Sequence, residues 1–293
     1  LRFKADLTLL FISIIWGSAF VAQRIAGQSG SVYLFNGIRY VLAGLVVLPV
    51  AIRTRRKEYP LLYREQLKWM FVAGLLLFIA SALQQVGMVF TTAGNAGFIT
   101  SLYVVLVPLG LFAFWREKFH WLLIIAVSLA VLGAFLLSTS GRFEFRLGDL
   151  LEFIGAIFWA LHVIVVGKFG REFEPTSCSV GQLVICGLLN LSVGIFVETA
   201  SPFSSRLVIP ILYTALLSLG LCYTLQIWAQ RHTPPADAAL ILSLESVFAV
   251  LTGWLFLGEQ LSIIQTFGCI LIFIAVLLTQ VREWTSSKIT PLN

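Results

Sequence analysis

Apolar residues run along this chain in blocks of roughly twenty, enough to cross the hydrocarbon core of a bilayer as a helix. "LLFISIIWGSAFVAQ" (9–23), "YVVLVPLGLFAFW" (103–115) and "LLIIAVSLAVLGAFLL" (122–137) are typical. None shows the strict alternation of apolar and polar residues that marks a membrane-spanning strand. The pattern predicts about ten helical spans, at 5–25, 32–52, 67–89, 93–115, 120–139, 148–170, 177–198, 207–230, 234–257 and 262–281. Short links with turn chemistry separate several of them, such as "GQSGS" (27–31) and "TASPFSS" (199–205). The first apolar run, Leu7 to Ala22, follows Arg2 and Lys4 but offers no convincing small-residue cleavage site, so it reads as a retained span. The fold class expected is an all-α integral membrane protein.

One phrase occurs twice. "TTAGNAGFITSLYVVLVPLGLFAFWRE" (91–117) and "TPPADAALILSLESVFAVLTGWLFLGE" (233–259) overlay without a gap at a shift of 142 residues. Thr91 meets Thr233, Ser101 meets Ser243, Leu102 meets Leu244, Tyr103 meets Glu245 and Glu117 meets Glu259; Gln84 meets Gln226 at the same shift. With one extra residue, Asp6 and Trp16 meet Asp149 and Trp159. The chain therefore divides into two repeats, 1–140 and 141–293, of about five spans each. An odd number of spans turns the second repeat upside down. Inverted repeats are an architecture of secondary transporters, with the substrate site near the midplane between the halves.

Composition supports the membrane reading. Of 293 residues, 59% are hydrophobic and only 12% charged, about half the charge of a soluble domain. The net charge of +6 is explained by where the cations lie. With a cytoplasmic N-terminus, about fifteen Lys and Arg fall in links and tails on the inside and four on the outside. Both termini are then expected to be cytoplasmic. No basic soluble segment is present to hold nucleic acid. The four cysteines form no C-x-x-C pair and read as structural thiols.

"WGSAFVAQRIA" (16–26), "LQQVGMVFTTAGNAGFITSLYVVLVPL" (83–109), "FWALHVIVVGK" (158–168) and "LQIWAQRHTPPADAALILSLESVFAVLTGWLFLGEQL" (225–261) resemble the drug/metabolite transporter superfamily, in particular its EamA-type ten-helix carriers. The likeness covers essentially the whole chain. It implies two inverted five-helix halves around a central cavity lined by spans 1, 3, 4, 6, 8 and 9. It also implies a bacterial inner-membrane carrier of small metabolites, often an exporter of amino acids. The sequence departs from the family where proline commonly follows the glutamate of span 9; here Glu245 is followed by Ser246.

Several polar residues sit where lipid would not tolerate them. Glu245 lies in the middle of an apolar run, where a carboxylate must face a cavity, meet a cation or carry a proton. It is a candidate for substrate binding and for proton coupling, or else a tie between helices. Trp159 and His162 are three apart and share a face, extended by Glu152 and Gly155. His162 is a second candidate for proton coupling. Gln84 and Gln226 occupy matched positions, Gln226 with Tyr223 one turn away. Gln85 and Gln230 read more as interhelical glue. Trp16 and Tyr103 complete the candidate substrate site. Arg39, with Asn36 one turn earlier, is the cation deepest in a span. It is read as a gate residue or structural tie, with substrate carboxylate binding and snorkelling as alternatives. Asn95 and Asp237 read as helix-start residues, Glu117 and Glu259 as turn residues, and Pro108 as a bend in span 4.

Neither H-E-x-x-H, nor a Walker A loop, nor G-x-S-x-G, nor a dinucleotide fingerprint occurs. The expectation is a non-enzyme without cofactor or metal, moving an amino acid or similar metabolite by alternating access. The alternatives are an exporter of cationic drugs and, in a different class, a receptor or scaffold that transports nothing.

Overall fold

A computed structural model describes residues 1–27, 31–58, 64–91, 93–139, 147–170, 173–198, 205–257 and 262–289, and among these no strand occurs. Ten rods follow one another. They are α1 (Arg2–Gly27), α2 (Val32–Glu58), α3 (Arg64–Phe90), α4 in two pieces (α4a, Ala93–Ser101; α4b, Tyr103–Trp115), α5 (Trp121–Thr139), α6 (Leu147–Phe169) and α7 (Pro175–Val197). After these come α8 (Ser205–Gln230), α9 in two pieces (α9a, Pro235–Leu242; α9b, Glu245–Leu257) and α10 (Ile263–Ile289). Eight rods are long and apolar enough to cross a membrane, and α5 and α10 contain shorter apolar helices, Trp121–Leu136 and Ile263–Leu278. Large apolar side chains cover the outer surface, with Phe196 at 89% and Ile209 at 78% exposure. A soluble bundle would hide such a surface; a lipid-facing one needs it.

The ends of the rods are held by side chains that satisfy orphan backbone groups. Glu174 caps α7 by accepting from the amides of Thr176 and Ser177, and Pro175 fits the first turn because its missing N–H is not needed there. Glu198, just beyond α7, accepts from the amides of Val32, Tyr33 and Leu34 at 2.7, 2.8 and 3.0 Å. One carboxylate thus caps α2 and ties it to α7, placing negative charge at a positive helix end. Arg116 ends α4b in the left-handed region at φ 57°. Glu117 follows in that turn and pairs with Lys168 at the end of α6. Glu259 and the side chain of Asn95 lie outside the described residues.

Small residues let the rods approach closely, as bilayer packing requires. A Cβ on Gly17 of α1 would lie 2.5 Å from Cβ of Phe248 and 2.6 Å from the Glu245 carbonyl oxygen of α9b. Gly148 of α6 meets the Gly87 carbonyl of α3, and Gly187 of α7 meets Val41 of α2. The principal partnerships are α2 with α7, α5 with α10, α3 with α6, α1 with α9, α3 with α7, α1 with α8 and α4 with α6.

Pro108 lies inside α4b, and span 4 breaks six residues before it, at Leu102. There the Leu102 amide bonds the Ile99 carbonyl at 3.1 Å, one residue tighter than an α-helix allows. The α9 rod breaks at the repeat-matched place, with the Leu244 amide on the Ile241 carbonyl at 3.2 Å. Arg39 does not snorkel. Its side chain is buried inside the bundle, and it stays at the cavity described next.

Candidate functional site

The breaks in α4 and α9 aim two side chains at one place. Tyr103 is the first residue of α4b and Glu245 the first of α9b. Both are buried, at 4% exposure, and both line a central cavity. The Tyr103 hydroxyl lies beside the Glu245 carboxyl, but neither it nor Glu245 Oε1 makes a hydrogen bond of good geometry.

Trp16, Ala19, Phe20 and Gln23 of α1, Arg39 and Tyr40 of α2, Gln84 of α3 and Thr100 of α4a form further wall. So do Trp159, His162 and Val163 of α6, and Ser218, Leu219, Tyr223 and Gln226 of α8. The cavity volume is about 50 Å³. That is room for a few waters, since one needs roughly 10–15 Å³ on this measure.

The aromatic wall is cross-braced. Trp16 packs on Tyr223 with ring centres 5.2 Å apart, and Tyr223 meets the edge of His162 at 5.7 Å. The Trp16 indole N–H donates to the Ser218 carbonyl at 2.8 Å. Ser218 sits in a π-helical stretch of α8, Thr214–Leu221. Such a stretch shifts the backbone bonding register, as functional sites often require. His162 Nε2 is 2.9 Å from Gln182 Oε1 on α7. An amide oxygen only accepts, so Nε2 carries the hydrogen and Nδ1 is left with a lone pair.

Arg39 is the cation of this wall. Its Nη2 donates to Gln23 Oε1 at 3.1 Å, and its guanidinium lies over the rings of Phe35 and Tyr40. Among the described residues it has no carboxylate partner, and its Nε has no acceptor. Trp159 Nε1, His162 Nδ1 and both polar atoms of the Gln226 amide are also buried without partners. Buried polar atoms are normally satisfied. Here those of Arg39, Tyr103, Trp159, His162, Gln226 and Glu245 converge on one cavity, the pattern of a ligand site.

Trp16, Gln84, Tyr103, Trp159, His162, Tyr223, Gln226, Glu245 and Arg39, singled out from the sequence, all lie on this wall. Gln85 and Gln230 do not; they donate to the Gln23 and Val163 carbonyls and tie helices together. Tyr40, Thr100 and Ser218 were missed. Thr100 is three residues before Tyr103, so the same three-residue spacing that paired Trp159 with His162 would have found it. Ser218 contributes a backbone oxygen, for which side-chain patterning has no signal. Among the described residues no group of His, Cys, Asp and Glu is arranged to hold a metal.

Matched polar contacts lie near the two ends of α1. Near the start of α1, Thr233 Oγ1 donates to Asp6 Oδ1 at 2.7 Å, and Arg2 bridges Asp6 and Asp237, each at 3.0 Å. Asp237 is thus a helix-start residue that also ties α9a to α1. Near the end of α1, Thr91 Oγ1 donates to Asp149 Oδ1 at 2.5 Å, and Arg24 donates to the Thr91 carbonyl at 3.2 Å. Each half's Asp binds the Thr that precedes the other half's broken helix. The two contacts lie about 27 Å apart along α1, with the cavity between them.

The model of the EamA-like transporter family matches the chain twice, over residues 3–139 and 146–281. The chain belongs to the EamA-like transporter family. It is a multi-pass membrane protein. An uncharacterized transporter of Archaeoglobus fulgidus is 34% identical over 96% of this chain and 87% of its own length. The uncharacterized inner membrane transporter YedA of Escherichia coli is 26% identical over 92% of this chain and 89% of its own. The threonine/homoserine exporter RhtA of E. coli is 29% identical over 57% of each chain. A solved crystal structure superposes with a TM-score of 0.78 over 94% of this chain and 97% of that one, at 13% identity, which speaks for the fold alone.

Proposed function

We propose that this EamA-family protein is a secondary carrier that exports zwitterionic metabolites, amino acids foremost, by alternating access across an inner membrane. The observation that carries the substrate class is the presence of Arg39 and Glu245 on one buried wall, each with a polar atom lacking a partner. An α-carboxylate matches the guanidinium and an α-ammonium matches the carboxylate. Gln84, His162 and Gln226 are placed to hydrogen-bond polar groups, while Trp16, Trp159 and Tyr223 shelter an apolar side chain. One cation on the wall is poor provision for phosphorylated substrates. The RhtA name supports the amino-acid reading, and the positive-inside distribution of Lys and Arg supports cytoplasmic termini.

The repeat supports alternating access. Thr233–Asp6 and Thr91–Asp149 are matched contacts at opposite ends. We read them as two gates, both closed in this conformation. Arg39 then serves the substrate carboxylate directly, in preference to an ion-pair gate.

The test is a panel in proteoliposomes preloaded with labelled compounds: neutral amino acids, matching amines, matching carboxylates and quaternary ammonium drugs. Efflux of amino acids ahead of both half-analogues is the expected result. Efflux of the quaternary ammonium compounds alone would replace this reading with a drug exporter that uses the aromatic wall and Glu245.

A further inference from the structure

Glu152 is a second buried carboxyl of α6, outside the cavity wall and without an assigned role. It is 1% exposed. Its Oε2 accepts from Thr100 Oγ1 at 3.1 Å, and Thr100 Oγ1 in turn accepts from Gln84 Nε2 at 3.0 Å. Gln84 and Thr100 both face the cavity. A short chain of hydrogen bonds therefore runs from the cavity to Glu152. Its Oε1 has no partner and is pressed toward Gly87 of α3, where an added Cβ would lie 2.9 Å away. One turn before it on α6 is Asp149, the acceptor of the Thr91 gate.

Among the described residues nothing around Glu152 balances a negative charge. From α3 Glu152 faces Gln84 and Gly87, from α4a it faces Thr100, and on its own helix it faces Asp149, a like charge. Arg24 of α1 reaches the same end but donates to the Thr91 carbonyl. The α8 and α9a rods meet α6 further along, through Gln230 on the Val163 carbonyl and Pro235 on Gly167, and bring no charge there. A lone hydroxyl donor is scant compensation for a carboxylate at this depth. Opening the Thr91–Asp149 gate would part α4a from α6 and admit water beside Glu152.

We propose that Glu152 is the proton-binding site that couples transport to a pH gradient. It takes up a proton from the water admitted when the Thr91–Asp149 gate opens, holds it while that gate is closed, and yields it through Thr100 to the cavity when the Thr233–Asp6 gate opens, so that one proton enters as one substrate leaves. Glu245 is thereby kept for the substrate ammonium. This inference rests on the carrier reading above.

The test separates the two. Counterflow of a labelled amino acid at equal pH reports the carrier, and the acceleration of net flux by a pH gradient reports coupling. Wild type should show both. Glu152→Gln should keep counterflow within about threefold and lose the acceleration. Retained acceleration in Glu152→Gln overturns the proposal, as does a wild type with counterflow but no response to the gradient. Absence of counterflow in wild type overturns the carrier reading. If Glu152→Gln is inactive throughout, Glu152→Asp decides. Acceleration with a displaced pH midpoint upholds the proposal, and an unchanged midpoint overturns it.

Discussion

Replacing Glu245 by Gln keeps the shape of the side chain and removes its charge. Glu245 is 4% exposed, and its wall leaves room for few waters, so the contact with an ammonium would be little screened. A hydrogen bond to a charged group contributes about 1.5–3 kcal/mol, so Glu245→Gln should weaken amino-acid binding roughly 10- to 150-fold. The decisive assay is a cycle: wild type and Glu245→Gln, each titrated with an amino acid and with the carboxylic acid that lacks its ammonium. Wild type should prefer the amino acid by about that factor, and the variant should show little preference. The coupling between side chain and ammonium is then read directly. Equal loss for both ligands would refute the assignment, because it would mean that Glu245 acts through the fold and not through the ammonium. The same cycle with Arg39→Gln and an amine lacking the carboxylate tests the other end.

Gly17→Ala should cost about 1–3 kcal/mol by overpacking, toward the upper end because two of the three atoms it meets are backbone of α9b. A lowered unfolding midpoint in detergent checks this, and an unchanged midpoint would contradict the close α1–α9b contact. Thr233→Val and Thr91→Val each remove a hydroxyl bonded to a carboxylate, shifting the corresponding gate toward open by roughly tenfold. With the native cysteines replaced and Ala19→Cys on the cavity wall, an impermeant thiol reagent should label faster from one side in Thr233→Val and from the other in Thr91→Val. Acceleration from the same side in both would contradict the inverted arrangement. Gln85→Leu, which removes an interhelical bond off the cavity wall, should cost about 0.6–2 kcal/mol of stability and leave KM unchanged.

The spans were legible because bilayer thickness imposes one length on every apolar run. The candidate site was legible for a related reason: Gln84, His162, Gln226 and Glu245 violate the lipid rule, and an exception inside a span needs an interior partner. The breaks were less so. Leu102 and Leu244 carry no breaker residue, and Pro108, which does, sits inside an unbroken helix. Glycine at 94 or 97 and proline at 108 draw attention along the chain, whereas the break falls at Leu102. The wider helical forms are also silent in sequence: nothing in "TALLSLGL" distinguishes π from α, yet that stretch brings the Ser218 carbonyl to Trp16. Arg39 was found as an exception but its bond to Gln23 was not, since that partner reaches it only through folding.

On the proposed function, a zwitterion is bound between two gates. Counterflow tests this most directly: uptake of a trace of labelled amino acid into proteoliposomes preloaded with the same unlabelled amino acid. Accumulation should rise transiently above equilibrium, far exceed that in empty proteoliposomes, and fall to the protein-free level when Arg39 or Glu245 is replaced by Gln. Equal uptake with and without preload, or an overshoot that survives both substitutions, would contradict it.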